Sequence, residues 1–326
     1  MKKIIPIYMF FLFIVLISCA KLNEPSHKTE VLKTEYIYQT EGYAMDLFVT
    51  DTNLYIAEDQ VGFSIYDLNS DSLLTHFYGD IENARLISAV EQDSTLFVYD
   101  VYGSPAAIMV YDISNPKSPV LKPNITGQTS GIEEFYCIPT NTDGIDIIWT
   151  HDNKLQYGFY QDLWLGSFSF SLPNAVKGFD YDSTYYYIAG DERGLYIVDR
   201  VSGDLISNID TGGKARSVKL IGNFVYIAAR EAGLQVINVS DINNPILVYN
   251  YDTVGYAQGI DGKDGYLSVA SGGGGVYLFE LSDSGKPEFL ARVDDEYIGY
   301  TYNTVVKENI IFVATRQGVY KMSINY

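Results

Sequence analysis

Short apolar runs rich in Tyr, Val and Ile, broken by Gly, Asp, Asn and Pro, recur along the chain from residue 43 to its end. The fullest copies pair Tyr55-Ile56-Ala57 with Gly62-Phe63-Ser64-Ile65-Tyr66-Asp67, Tyr187-Ile188-Ala189 with Gly194-Leu195-Tyr196-Ile197-Val198-Asp199, and Tyr226-Ile227-Ala228 with Gly233-Leu234-Gln235-Val236-Ile237-Asn238. Related pairs start at Ser268-Val269-Ala270, at Phe312-Val313-Ala314 and, with a longer turn, at Phe97-Val98-Tyr99. A degenerate copy at Ile147-Ile148-Trp149 fills the remaining gap. Apolar positions three and four apart would mark helices; short runs of β-branched and aromatic residues between turn formers mark strands. The runs alternate poorly, as a strand buried on both faces should.

Taking the last residue of each first run as a marker, the copies fall at 57, 99, 149, 189, 228, 270 and 314, on average ~43 residues apart, a spacing typical of propeller blades. The pattern predicts an all-β fold, a seven-bladed β-propeller of four-stranded blades. The expected blades are about 43–81, 82–126, 131–172, 174–212, 214–253, 255–295, and 299–326 plus 35–40. The innermost strand of each begins at a small residue, Ala44, Ala84, Ala175, Ala215, Ala257 or Thr301, with Glu133 breaking the series in the third. The last repeat stops after its third strand, and Glu35-Tyr36-Ile37-Tyr38-Gln39 resembles the outer-strand segment Val248-Tyr249-Asn250-Tyr251-Asp252. The N-terminal segment is therefore expected to supply the missing fourth strand, which closes the ring and leaves only short edges.

The phrases Gly-Leu-Tyr-Ile-Val-Asp (194–199) and Gly-Leu-Gln-Val-Ile-Asn (233–238), together with Ile113-Ser114-Asn115-Pro116 and Pro119, resemble the LVIVD-repeat family of bacterial and archaeal cell-surface proteins. The resemblance runs over residues 43–326 and is closest in repeats one and four to six. It implies a β-propeller on a bacterial cell-surface lipoprotein, and no shared chemistry, so no catalytic residue is carried over from it.

Ahead of the repeats, Lys2 and Lys3 precede the apolar run Ile4 to Ile17 and then Ser18-Cys19. That is the anatomy of a signal peptide over residues 1–18, too short for a confident membrane span. Leu16-Ile17-Ser18-Cys19 resembles the bacterial lipobox, which implies lipid attachment at Cys19; Ala20 after the cysteine implies sorting to the outer membrane, with the periplasmic or extracellular face left open. Residues 19–34, polar and poor in apolar groups, read as a lipidated tether reaching on the order of 20 Å. Cys137 is then the only other cysteine, so no intrachain disulfide is expected.

The 326-residue chain carries 22 basic against 41 acidic residues, a net charge of −19. Such a surface repels nucleic acid and anionic headgroups and keeps the protein soluble; cations or cationic peptides are the partners it would favour. No cofactor is expected, since no phosphate loop, nucleophile elbow or zinc spacing is present. The run Ser271-Gly272-Gly273-Gly274-Gly275 occupies the turn filled elsewhere by Asp191-Glu192-Arg193-Gly194 and has no helix after it. Asp180-Tyr181-Asp182 and Asp294-Asp295-Glu296 lack the spaced ligands of a calcium loop and read as acidic turns. The histidines, His27, His76 and His151, are scattered.

Propellers bring one residue per blade to an axial channel. One position after each small inner residue stand Met45, Arg85, Glu134, Val176, Arg216, Gln258 and Tyr302. Of these, Arg85, Glu134, Arg216, Gln258 and Tyr302 are candidate ligand-binding residues at the channel mouth. The adjacent register, Asp46, Leu86, Phe135, Lys177, Ser217, Gly259 and Asn303, stays open, because a one-residue slip exchanges the faces of a strand. Repeat three departs most from the pattern, with an added loop expected at 139–144, and 29 tyrosines against 16 phenylalanines leave some, such as Tyr297, Tyr300 and Tyr302, free to stack on a partner. The function expected is a monomeric, non-catalytic binding or assembly module for protein or glycan partners at the outer membrane. The alternative is an envelope glycan lyase or hydrolase, with Glu134 as acid/base and Arg85 or Arg216 holding a substrate carboxylate.

Overall fold

A run that stays apolar without alternating must be covered on both sides, and the structure shows how. In the computed structural model, which describes residues 31–79, 81–127, 129–140 and 144–326, the chain forms seven four-stranded antiparallel sheets around one axis. In blade one the strands run Asp46–Val49, Asn53–Ala57, Phe63–Asp67 and Ser72–Phe77 from the axis outward. The second strand is buried over its last four residues and the third over its first four, as they are again in Tyr185–Ala189 and Leu195–Asp199 of blade four. Each blade face is apolar because each meets a neighbouring blade. The core accordingly falls into seven clusters, one per interface: Tyr55, Phe63 and Ile65 of blade one pack with Leu96, Val98 and Met109 of blade two, and the series continues round to Leu47, Ile56 and Tyr66 against Phe312, Ala314 and Val319.

Two repeated backbone devices set the geometry. The glycine that opens the third strand, Gly62, Gly194, Gly233, Gly275 or Gly318, has positive φ in every case. A Cβ there would meet the outer strand's carbonyl oxygen, 2.2 Å away at Gly194 (Ile209) and 2.0 Å away at Gly275 (Val293). Only glycine meets both demands. The turn before that glycine also ties blades one, four, five and six to the blade that follows: Asp59, Asp191, Arg230 and Gly272 form backbone bridges with Ala84, Ala215, Ala257 and Thr301. Ala84, Ala215, Ala257 and Thr301 are thus completely buried at the blade junctions. The glycine run 271–275 belongs to this set; Val276–Leu281 follows it as a strand.

The ring closes through the N-terminal strand Leu32–Tyr38, which pairs antiparallel with Gly318–Ile324 as the outer strand of blade seven. At Gly318 the carbonyl that a Cβ would strike, at 2.4 Å, is that of Tyr38, the role Ile209 plays in blade four. The strand starts at Leu32, inside the segment read as tether, because Leu32 is buried with Met322 and Ile324 in the core between blades six and seven. Residues 1–30, with the expected signal peptide, Cys19 and most of the expected tether, lie outside the described residues, and no helix among those described is long and apolar enough to cross a membrane.

Inner strands run away from the face that carries the interblade turns, so their first residues share one end of the channel, the mouth. Leu32 pairs with Ile324 and Tyr38 with Val319, and Gly318 belongs to the mouth-side turn. The chain therefore enters the ring on the face opposite the mouth.

Candidate functional site

The inner strands enclose a channel cavity of about 340 Å³, lined by Arg85, Glu134, Arg216, Gln258 and Tyr302 among others. All five candidates from the sequence thus border one space. Their side chains do different things.

The inner strand of blade three carries a bulge: Ile132 pairs with His151 and Phe135 with Trp149, so Glu133 and Glu134 stand together opposite Thr150. Thr150 Oγ1 accepts both of their N–H groups, at 3.3 and 3.0 Å. Glu133 reaches across the mouth and accepts from Arg216 Nη1 at 2.5 Å and from Lys177 Nζ at 2.7 Å. Burial pushes its carboxyl up, but Arg216 and Lys177 outweigh that and hold it below the usual range. Glu134 turns instead against blade four, accepting from the Tyr136 hydroxyl at 2.8 Å and the Phe179 N–H at 3.2 Å. Burial raises its carboxyl to about 8, against the pull of Tyr136 and Arg216. The carboxylate that meets Arg216 at the mouth is therefore that of Glu133.

In blade four the register sits one residue later than the sequence suggested. The residue whose N–H bonds the preceding turn, at Asp152 O and 2.8 Å, is Val176, which is buried; Ala175 is half-buried. Lys177, not Val176, takes the mouth position, and its N–H bonds Ala189 O as that of Arg216 bonds Ala228 O.

The remaining mouth positions are Met45, Arg85, Gln258 and Tyr302. Gln258 Nε2 donates to the Tyr300 hydroxyl at 3.0 Å and to Thr301 O at 3.2 Å. Tyr302 accepts from Arg316 Nε at 3.0 Å, and the Arg316 guanidinium lies over the rings of Tyr300 and Tyr43 at 4.9 and 5.5 Å. Arg85 is exposed and makes no hydrogen bond or ion pair among the described residues.

Below the mouth lies a layer that sequence reasoning missed. Inner-strand carboxylates accept the N–H of the next blade's inner strand: Asp46 from Ile87 (3.0 Å), Asp180 from Leu220 (2.8 Å) and Asp261 from Val306 (2.8 Å), with Glu134 to Phe179 as the fourth. The inner strand is the axial edge of its sheet, so its outward N–H groups lack strand partners, and these side chains supply acceptors. Burial lifts Asp46 to about 6 although Ile87 and Asn303 oppose it. Lys219 reaches Asp261 at 2.8 Å; burial works against its charge, but Asp261 and Asp180 together raise its pKa. An acidic residue beside an apolar one within an inner strand, as in Asp46-Leu47, Asp180 after Phe179 and Asp261 after Ile260, was the available signal. Asp180 was read only as part of an acidic turn.

No group of His, Cys, Asp and Glu suited to hold a metal is found among the described residues. His76 pairs with Ser64 and Val61 O, and His151 with Ser130 O, in separate blades. Cys137 is a buried free thiol.

A profile of the LVIVD repeat matches residues 105–126 and 212–253, that is, the outer half of blade two and the whole of blade five. The chain carries LVIVD repeats. No curated protein matches it. Among solved structures, the β-propeller domain of Myceliophteria thermophila Cps50 (Swd1) is similar at 10% identity with a TM-score of 0.70, over 90% of this chain and 100% of that one. The computationally designed protein Ika8 is similar at 10% identity with a TM-score of 0.60, over 89% and 98% of the two chains. These likenesses are ones of fold.

Proposed function

From a propeller built of LVIVD repeats, we propose a non-catalytic binding or assembly module, held at the bacterial outer membrane by a lipid on Cys19, that receives a protein or glycan partner at its channel mouth. The observation that carries the reading is the placement of the mouth. Its polar residues converge on one cavity, and the chain enters the ring on the opposite face, so a tether from Cys19 leaves the mouth turned away from the anchor. A propeller scaffold of this kind often serves protein interaction, which fits a binding or assembly role. The lyase or hydrolase alternative finds less support: Glu134, its acid/base, has both oxygens committed to Tyr136 and blade four, and Arg216 is held by Glu133. Proton transfer needs a group free to reach its substrate.

The test is affinity capture of the lipidated protein from detergent-solubilised envelopes, with partners identified by mass spectrometry, in parallel with an Arg85→Ala/Tyr302→Ala variant. Partners lost with the variant place the interaction at the mouth. An identical partner set from both proteins removes the mouth from this reading.

A further inference from the structure

We propose that the arc of the mouth formed by blades six, seven, one and two binds a carboxylated sugar, with the Arg85 guanidinium taking the carboxylate. This deepens the binding-module reading and rests on it.

The mouth is divided in two. Over blades three to five, Glu133 is shared by Lys177 and Arg216 and the three groups satisfy one another. Over the other arc the polar groups are incompletely used. Arg85 presents its N–H fork to solvent with no partner among the described residues, on a chain of net charge −19. A planar, bidentate carboxylate matches that fork better than any point charge. Tyr302 accepts from Arg316, which leaves its own O–H to donate; Gln258 spends its Nε2 on Tyr300 and Thr301, which leaves its Oε1 to accept. Donors and acceptors set side by side in this way suit the hydroxyls of a sugar ring. Met45 and the ring of Tyr302, which packs against Tyr300 with centroids 5.1 Å apart, supply apolar surface for the ring's C–H face.

Size and charge narrow the ligand further. A cavity of about 340 Å³ lies at the small end of ligand sites and suits one or two sugar units. Asp46 below the mouth disfavours a second anionic group, so a polyanion such as a phosphorylated chain is turned away while a single carboxylate stays at the rim.

The experiment is calorimetric titration of the lipidated, full-length mature protein in detergent with three trisaccharides: one ending in glucuronic acid, its methyl ester, and the neutral glucose-terminated analogue. The acid is expected to bind at least about 10-fold more tightly than the ester. Arg85→Ala should abolish that preference, weakening the acid about 10- to 100-fold, the range set by a hydrogen-bonded charge, while its melting temperature stays at the parental value. Equal affinity for acid and ester, or an Arg85→Ala protein that keeps the preference, overturns the assignment of the carboxylate. Absence of saccharide binding overturns the sugar ligand. In either of those cases the binding-module reading survives if envelope partners are still lost from the Arg85→Ala/Tyr302→Ala variant, and fails with it if they are not.

Discussion

Glu134 shows what a single residue does in this channel. Its carboxyl joins two blades by accepting the Phe179 N–H, and burial raises its pKa from the ordinary carboxylate range to about 8. A folded-state pKa above the unfolded one means that the native protein holds the proton more tightly. Below about pH 4.5 both states are protonated and the residue costs nothing. Between there and about pH 8 the unfolded chain ionises first, so stability falls as pH rises, and above 8 the cost is complete. Glu134→Gln keeps an oxygen for Phe179 and a neutral partner for the Tyr136 hydroxyl. The variant should therefore match the parent at pH 4.5 and exceed it at pH 8.5 by ~2 kcal/mol or more. Denaturant midpoints across that range check it; a constant difference would mean that the side chain is not buried as described. Asp46, raised to about 6, bends the parent's profile the same way at lower pH.

At the level of strands, closure of the ring rests on the segment Leu32–Tyr38. Tyr38 is wholly buried between blades seven and one, 5.0 Å from Tyr66 and 6.4 Å from Phe312, with its hydroxyl on Asp71; Lys321 of blade seven binds the same aspartate at 2.8 Å. Tyr36, two residues earlier, is 40% exposed. Tyr38→Ala should cost ~3–5 kcal/mol, Tyr36→Ala under ~1, and deletion of residues 31–40 should lower the melting temperature sharply. Comparable losses from the two tyrosines would deny the strand its buried place. This closing strand was legible because it looks like the outer-strand segment 248–252, and the blades were legible because sheets packed on both faces leave an apolar signature that repeats. The channel was less so. Inner strands bulge between Ala84 and Leu86, between Ile132 and Phe135, and between Thr301 and Asn303, and each bulge changes which neighbour faces the axis. Sequence spacing does not reveal an extra residue of that kind. In blade three that extra residue makes Glu133, rather than the mouth candidate Glu134, the partner of Arg216; in blade four, where no bulge interrupts the inner strand, Lys177 rather than Val176 takes the mouth position.

For the whole molecule, the antiparallel entry of the first strand fixes an orientation. Leu32 lies at the face opposite the mouth, so the proposed lipid on Cys19, joined through a tether with a reach on the order of 20 Å, would hold that face toward the bilayer. Val201, 93% exposed in the turn between the third and outer strands of blade four, lies on the face opposite the mouth; Tyr102, 69% exposed after the second strand of blade two, lies on the mouth side. Single cysteines at these positions can be compared against the low background of the buried Cys137. In proteoliposomes carrying the lipidated protein, a bulky polyethylene-glycol maleimide should label Tyr102→Cys several-fold faster than Val201→Cys, and the two rates should converge when Cys19→Ser leaves the protein free in solution. The anchor alone produces that contrast, since both sites are exposed on the isolated ring. Equal rates on the vesicle would mean that the propeller tumbles on its tether or lies on its side, and the mouth would then lose the outward aspect on which its role as a receiving surface depends.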